Sequence, residues 1–323
     1  MTSTMNKNPG PCPLCNAQGR KILFPVKIKQ SQYVIVQCHQ CELAQTFPLP
    51  KDEDLFLDEI AEYYGNSVNK FVPVIQRIRE CLMNARASYY LSMLPRTGHM
   101  PRVLDIGCAE GRLLKSFLNM GCRCYGVEHK NYPESRFLCR DQISYTQGEL
   151  ETIELPEKSF DLIFLWHVLE HVNNPDAVIN RAYKLLNENG LLVIAVPNFS
   201  SIEARLFKQL WFHLDVPWHK YHFTEKSVKY LVEKKHFVII KNTTFCIEQN
   251  VFGLVQSFLN YMGWPKNELY EAIKGNLKYQ RVFFLSIQVI VSCALFIPCL
   301  FLSLYESKKK TGSVLKIILK KAS

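Results

Sequence analysis

The first fifteen residues, MTSTMNKNPGPCPLC, contain no apolar run, so the start of the chain does not read as a secretory signal. No stretch interleaves basic residues with a platform of aromatics, which removes the usual signature of nucleic-acid binding. There is no internal repeat and no low-complexity segment apart from a lysine-rich end, which argues against solenoids and disordered linkers. The 12 cysteines are not spaced as a secreted disulfide framework. Several, among them Cys122, Cys124, Cys293 and Cys299, sit in apolar runs and read as free thiols of a reducing, cytoplasmic compartment. The dinucleotide fingerprint G-x-G-x-x-G is also missing.

What is present begins with size. The 323 residues, 48% of them apolar, allow one large or two smaller domains with a sizeable core. The net charge of +10 is moderate, and residues 306–323 carry half of it, with six Lys against one Glu.

The most informative stretch is Arg102–Leu114, RVLDIGCAEGRLL. Val103, Leu104 and Ile106 suit a buried parallel strand. Gly107 and Gly111 allow a sharp turn and close approach of a ligand. Leu113, Leu114, Phe117 and Leu118 then recur at helical spacing, so the turn feeds a helix N-terminus whose N–H groups suit an anionic group. A purely structural strand-to-helix turn is the competing reading. Glu128 ends a second strand 21 residues after Gly107, where a carboxylate can accept from ribose hydroxyls. Glu149 follows a third short strand. Ser159–Asn198 then reads as a strand, a short helix, a longer amphipathic helix and a strand ending at Pro197.

Residues 102 to about 247 resemble class I S-adenosylmethionine-dependent methyltransferases. The resemblance rests on Asp105-Ile-Gly107-Cys-Ala-Glu-Gly111, on the acid Glu128, and on Phe160-Asp161-Leu-Ile-Phe-Leu-Trp166-His167-Val-Leu-Glu-His171. Ala109 stands where the family often has a third glycine. The resemblance implies an α/β fold with a doubly wound, seven-stranded Rossmann-like sheet. It implies that the Asp105, Gly107, Cys108, Gly111 loop holds the methionine end of S-adenosyl-L-methionine, Glu128 the ribose, and Glu149 with the Leu150 backbone the adenine edge. The Asn/Asp-Pro-Pro-aromatic motif of nucleic-acid methylation is replaced by Leu165-Trp166-His167-Val168, so no nucleic-acid substrate is expected.

Two C-x-x-C knuckles, Cys12/Cys15 and Cys38/Cys41, are separated by 22 residues that contain strand-like runs at Arg20–Ile28 and Gln32–Gln37. Four thiolates so placed suit a structural, closed tetrahedral Zn2+. A ribbon of about 40 residues has little core of its own, so metal would supply stability. His39 reads as a bystander. Similar ribbons precede the catalytic domain in bacterial methyltransferases of small molecules.

Asp52–Tyr64 and Asn69–Leu94 read as helices; in relatives such helices form a lid, which would bring Tyr63, Tyr64 and Phe71 near the site. His167 and His171 leave the fourth strand at its carboxyl end, where ligands gather, and are candidate bases. Packing is the alternative for His171. Glu170 reads as a solvated or capping acid. Between 198 and 224 an insertion packs Trp211, His213, Asp215, Trp218, His219 and His222 together. His219 or His222 is the preferred base, with Asp215 as orienter; a divalent metal on Asp215, His219 and His222 is an alternative, as is a loop fixed by hydrogen bonds. Thr224 caps the helix Lys226–Lys235, and Phe237–Ile247 is the sixth strand.

Val282–Tyr305 is 24 residues without a charge, flanked by Lys274, Lys278, Arg281 and Lys308–Lys310. Gly312–Lys320 resembles the family's last strand, which inserts antiparallel into the sheet. A simple membrane span would strand it on the wrong side. The expectation is therefore a helical hairpin bent near Pro298, monotopic on the inner face of the membrane. Burial in a soluble homodimer is the alternative. The expected division is 1–48 zinc ribbon, 49–98 helical lid, 99–251 core with its insertion at 198–224, 252–311 apolar helical insertion and 312–323 last strand. The expected function is methyl transfer to a hydroxyl of a lipid-linked glycan, polyprenyl lipid or quinone precursor; a soluble small-molecule methyltransferase and a non-catalytic zinc-ribbon adaptor are the alternatives.

Overall fold

The computed structural model describes residues 9–50, 73–96, 98–274 and 282–322. The segment 52–64, expected as a helix, and Tyr63, Tyr64 and Phe71 lie outside them.

Three strands open the chain: β1 (Arg20–Ile28), β2 (Ser31–Cys38) and β3 (Ala44–Phe47). Helix α1 (Pro73–Ser92) follows. The core then alternates β4 (Arg102–Ile106), α2 (Arg112–Asn119), β5 (Arg123–Glu128), β6 (Ser144–Gln147), β7 (Phe160–Trp166), α3 (Pro175–Leu185) and β8 (Leu186–Pro197). After α4 (Ile202–Phe207) come the two-residue β9 (Tyr221–His222), α5 (Glu225–Glu233) and β10 (Phe237–Thr243). Helices α6 (Ile247–Tyr261), α7 (Glu268–Ile273) and α8 (Val282–Lys308) precede β11 (Val314–Lys321).

The main sheet has seven strands in the order β10-β11-β8-β7-β4-β5-β6, with β11 antiparallel to both neighbours. This is the doubly wound sheet expected, last strand included. Its centre is apolar on both faces because parallel strands are covered by helices on both sides. Phe160, Leu162, Ile163, Phe164 and Leu165 of β7 are all fully buried. Helix α1 adds Ala87 and Tyr90 to one face, the Tyr90 ring meeting Phe164 edge-on at 5.1 Å.

Local chemistry fixes several boundaries. The Thr224 hydroxyl and Ser227 exchange capping hydrogen bonds at the start of α5. Asn174 caps α3 ahead of Pro175, which suits a first helical turn. The short helix expected after β7 does not form; residues 167–174 are turns. Helix α4 ends at Phe207 and passes into a 3₁₀ turn, Lys208–Leu210.

One expectation is corrected. Residues 282–305 form no hairpin at Pro298; they belong to one continuous 27-residue helix with Pro298 inside it. The run holds no Gly, Asn or Asp that would reverse the chain. The reversal is instead shared between elements. Helix α6 leaves the sheet after β10, and α8 packs against it on the way back to β11.

Candidate active site

The carboxyl ends of β4, β5 and β7 meet at one edge of the sheet. After Ile106 the backbone turns through Gly107 (φ 72°), Ala109 (φ 47°) and Gly111 (φ 74°). A Cβ on Gly107 would lie 2.4 Å from Val168 Cγ2, and one on Gly111 2.6 Å from the Phe137 ring. Left-handed backbone and close packing together restrict both positions to glycine. The Gly107 and Cys108 N–H groups donate to the Val127 carbonyl at 2.7 and 3.2 Å, tying the loop to β5. The Cys108 side chain is buried in the core with Leu114 and Phe117, so only its backbone faces the loop's concave side.

Two buried acids flank this loop. Glu128 accepts from the Ala109 N–H at 2.6 Å and from the His129 N–H at 2.7 Å. Burial nonetheless pushes its carboxyl up. The Asp105 carboxyl has no hydrogen-bond partner among the described residues, and burial, then the neighbouring Glu128 charge, push it to about 8. Two carboxylates held near each other out of water call for donors or positive charge from a ligand. S-Adenosylmethionine brings ribose hydroxyls, an ammonium and a sulfonium, so these residues fit it. The Gly148 N–H donates to the Glu128 carbonyl at 2.9 Å, which places Glu149 and the buried Leu150 on the next loop of the same edge. The Glu149 carboxylate lies 3.3 Å from His129 Nε2.

A cluster of imidazoles adjoins the loop. His167 takes a left-handed backbone (φ 56°) immediately after β7, held by its N–H to the Ala195 carbonyl at 2.8 Å. Its Nδ1 lies 2.9 Å from Glu170 Oε1, and its buried Nε2 has no partner among the described residues. Glu170, expected in solvent, is only 1% exposed. Burial raises its carboxyl, but the His167 hydrogen bond and the nearby imidazoles outweigh this and hold it below the usual range. A carboxylate behind an imidazole is the arrangement that fixes the tautomer and strengthens the base. Sequence reasoning missed this role for Glu170. The H-x-x-E spacing, one helical or turn step apart, was the available signal.

The insertion supplies the rest. His171 Nδ1 lies 3.0 Å from the Trp218 carbonyl and His219 Nδ1 2.9 Å from the His213 carbonyl. Carbonyls only accept, so both Nδ1 atoms carry the proton and each Nε2 presents a lone pair when the ring is neutral. The two rings stack edge to face at 4.7 Å. Glu170, His171 and His219 each bring a ligand atom within 4.8 Å of the others. Asp215 Oδ2 is 3.9 Å from His219 Nε2, whereas His222 Nε2 faces Thr46 Oγ1 at 3.0 Å. The expected Asp215–His219–His222 ligand set is therefore not the one that converges.

Burial holds His213 and His222 down to about 3 and His219 well below its ordinary value. In the unfolded chain these rings protonate near 6.5. The unfolded state thus binds more protons across that window. The stability they confer is complete above about pH 6.5 and is lost as pH falls toward 3, by up to about 1.4 kcal/mol per pH unit per ring. The urea midpoint is expected to drop between pH 7 and pH 5, and His222→Gln to make the drop shallower. Equal slopes in the two proteins would refute the assignment.

At the opposite side of the insertion, Cys12 Sγ lies 3.5 Å from Cys41 Sγ, and Cys15 Sγ 3.5 Å from Cys38 Sγ. All four sulfurs lie within 4.8 Å of one another. A tetrahedral ion with Zn–S of about 2.3 Å sets sulfurs about 3.8 Å apart, so the four thiols fit zinc. His39 points elsewhere, to the Gly19 carbonyl at 2.8 Å.

Comparisons with known proteins agree with this geometry. A methyltransferase-domain family profile matches residues 75–242. The ubiquinone biosynthesis O-methyltransferase of Pelagibacter ubique is 29% identical over 149 residues, which cover 43% of this chain and 62% of that protein. Its counterpart in Glaesserella parasuis is 34% identical over 107 residues, covering 30% and 45%. The match thus spans about half the length of these curated relatives. The phosphoethanolamine N-methyltransferase 2 of Haemonchus contortus, solved with S-adenosyl-L-methionine, aligns over 93% of this chain and 71% of its own, with a TM-score of 0.50 and 11% identity, a likeness of fold alone.

Proposed function

Because this chain belongs to the methyltransferase-domain family and carries the class I S-adenosylmethionine-dependent fold, we propose that it methylates a hydroxyl on an isoprenoid quinone precursor at a membrane surface. The observation that carries the reaction is the Glu170–His167 pair beside the Gly107 loop. Bound S-adenosylmethionine would supply an electrophilic methyl on a sulfonium. Asp105 and Glu128 hold the cofactor's donors, and the backbone from Gly107 to Gly111 shapes its cradle. His167 Nε2 takes the acceptor's hydroxyl proton while Glu170 stabilises the imidazolium through Nδ1–H. His171 and His219 line the acceptor side and orient it, since in-line transfer depends chiefly on approach and alignment. The quinone-type acceptor is supported by the named relatives, which are O-methyltransferases of that pathway.

The membrane part of the reading rests on α8. Ile290 is 68% exposed and Phe301 67%, and Ile297, Phe296 and Tyr305 are exposed beside them. The stretch Leu285–Lys308 is long and apolar enough to cross a membrane. Its C-terminal end must return to the sheet as β11, which favours lying in one leaflet over spanning. Lys308, Lys309 and Lys310 at that end suit anionic headgroups.

The test combines both parts. The zinc-loaded protein is incubated with methyl-labelled S-adenosylmethionine and a prenylated phenol in vesicles containing anionic lipid. Label in the phenol ether is expected. Failure to bind S-adenosylmethionine by the folded protein would sink the enzymatic reading and favour the adaptor. Flotation with the same vesicles is expected for the wild type. Ile290→Ser, Ile297→Ser and Phe301→Ser together should lower the partition by about 100-fold. A wild type that stays in solution as a dimer would place α8 at a protein interface instead.

A further inference from the structure

We infer that the four-cysteine ribbon is a positioning device for the acceptor side of the active site, and that Thr46 is the residue through which it acts. The inference rests on the methyltransferase reading for its kinetic consequences, but the contact that carries it stands by itself.

The ribbon's sheet is not closed by the ribbon. Its order is β1-β2-β3-β9, and β9 comes from the histidine-bearing insertion, its His222 lying 176 residues downstream of Thr46. Ala44 pairs with His222 and Gln45 with Tyr221, antiparallel. β3 starts only three residues after the metal-site Cys41, and the Cys38 N–H donates to the Leu43 carbonyl at 3.0 Å. The metal knuckle therefore runs directly into the strand that holds the insertion. Leu14, Cys38, Cys41 and Leu43 share one buried cluster with Tyr221, Phe223 and Leu169.

Thr46 is fully buried, and its N–H and its hydroxyl both address this insertion. Its N–H donates to the Lys220 carbonyl at 3.0 Å. Its hydroxyl donates to the His219 carbonyl at 2.7 Å and lies 3.0 Å from His222 Nε2. A hydroxyl has one proton, and the carbonyl takes it. The His222 ring must then donate Nε2–H to Thr46 Oγ1. His222 is thereby fixed as the Nε2–H tautomer, which removes that nitrogen as a base and makes the ring a strut.

The far side of the same segment is tied to the catalytic edge. The Lys220 and Tyr221 N–H groups both donate to the Glu170 carbonyl, at 2.8 and 3.1 Å. The Trp218 carbonyl meets His171 Nδ1. Residues 218–222 are thus clamped between Thr46 and the Glu170–His171 turn. Without the Thr46 hydroxyl, the His219 carbonyl and the His222 ring lose the bonds that tie this segment to the ribbon, while the Asp105–Glu128 cradle keeps every contact it has.

The experiment uses the full zinc-loaded chain with Thr46→Val, which keeps shape and removes the hydroxyl, and Thr46→Ser, which restores it. Three quantities are read: S-adenosylmethionine affinity by calorimetry, histidine tautomers by nitrogen-15 magnetic resonance, and steady-state kinetics with the prenylated phenol in vesicles. Thr46→Val should keep cofactor affinity within about twofold, lose the hydrogen-bonded Nε2–H signature of His222, and lower kcat/KM for the phenol by about tenfold or more, the scale of loss that a small misplacement produces. Thr46→Ser should recover the signature and the rate. Stripping zinc from the wild type with a chelator should disturb the His219 and His222 signals while cofactor affinity is retained. A folded Thr46→Val protein with wild-type kinetics and an unchanged His222 signal overturns the proposal, as does a zinc-free protein whose His219 and His222 signals do not move. If the wild type itself fails to bind S-adenosylmethionine, the methyltransferase reading falls, and the tautomer and zinc readings still decide the role of Thr46.

Discussion

Glu128→Ala is expected to weaken S-adenosylmethionine binding by about 100-fold or more in calorimetry, with the fold intact. The carboxylate is 6% exposed and already oriented by two backbone N–H groups. Each ribose hydroxyl bond to a charged acceptor contributes about 1.5–3 kcal/mol, and two such bonds would be lost. Part of the loss is offset, because removing one of two neighbouring buried acids relieves Asp105, whose carboxyl Glu128 helps raise to about 8. That relief has its own signature. In the free protein a carboxyl raised this far is a group protonated in the folded state and ionised in the unfolded one. Its stabilising share is complete below the unfolded value near 4 and declines as pH rises through about 8. Glu128→Ala should make the free protein less sensitive to pH between 5 and 8 even while it abolishes binding. Wild-type affinity in the variant would remove Glu128 from the cofactor site.

His167→Asn should lower turnover by about 10²–10³-fold with cofactor affinity unchanged, the usual contribution of a general base. The asparagine amide can still donate to Glu170, so the turn is expected to survive while Nε2 is gone. Glu170→Gln gives the companion result. The carboxylate stays ionised well into acid because His167 and the surrounding imidazoles outweigh burial. Replacing it by an uncharged acceptor destabilises the imidazolium, so the rate falls and the acid limb of the pH–rate profile moves to lower pH. A profile that does not move, with an unchanged rate, would assign the base to His171 or His219 instead. The left-handed backbone at His167, φ 56°, costs on the order of 1 kcal/mol in a non-glycine residue and accompanies the Nδ1 contact with Glu170.

These two results draw on different kinds of information. The Glu128 site was legible from local order alone. A strand, a glycine-bounded turn and a second strand ending in an acid at the right distance admit essentially one βαβ arrangement, because such crossovers are right-handed and short. The paired knuckles were equally legible, since C-x-x-C fixes two thiolates on one turn and the second pair supplies the partner. The last strand was legible because the apolar run at the end of the chain resembles the family's last strand, and it lies where the resemblance implies, between β10 and β8.

Glu170 was not legible, because an acid between two histidines has the same local pattern whether solvent or a sheet edge covers it. Its burial depends on Lys220 and Tyr221, whose N–H groups arrive from about 50 residues away to bind its carbonyl. His222 was read as a base because imidazole chemistry is visible in a sequence and its tautomer is not; Thr46 decides the tautomer across 176 residues. The expected hairpin at Pro298 failed for the same reason. Proline inside an apolar run signals a bend, yet the packing of α8 along α6 keeps the helix continuous.

The sequence by itself thus determined the sheet, the glycine turn, the acid that closes the second core strand, the two facing pairs of thiols and the apolar length of the tail. Each depends on residue type and short spacing, which covalent geometry converts directly into structure. Only the tertiary structure decided which histidine is paired with a buried carboxylate, that the ribbon and the histidine segment form one sheet, and where the chain reverses before its last strand. Those depend on hydrogen bonds and packing between segments far apart in the chain, and no local pattern records them.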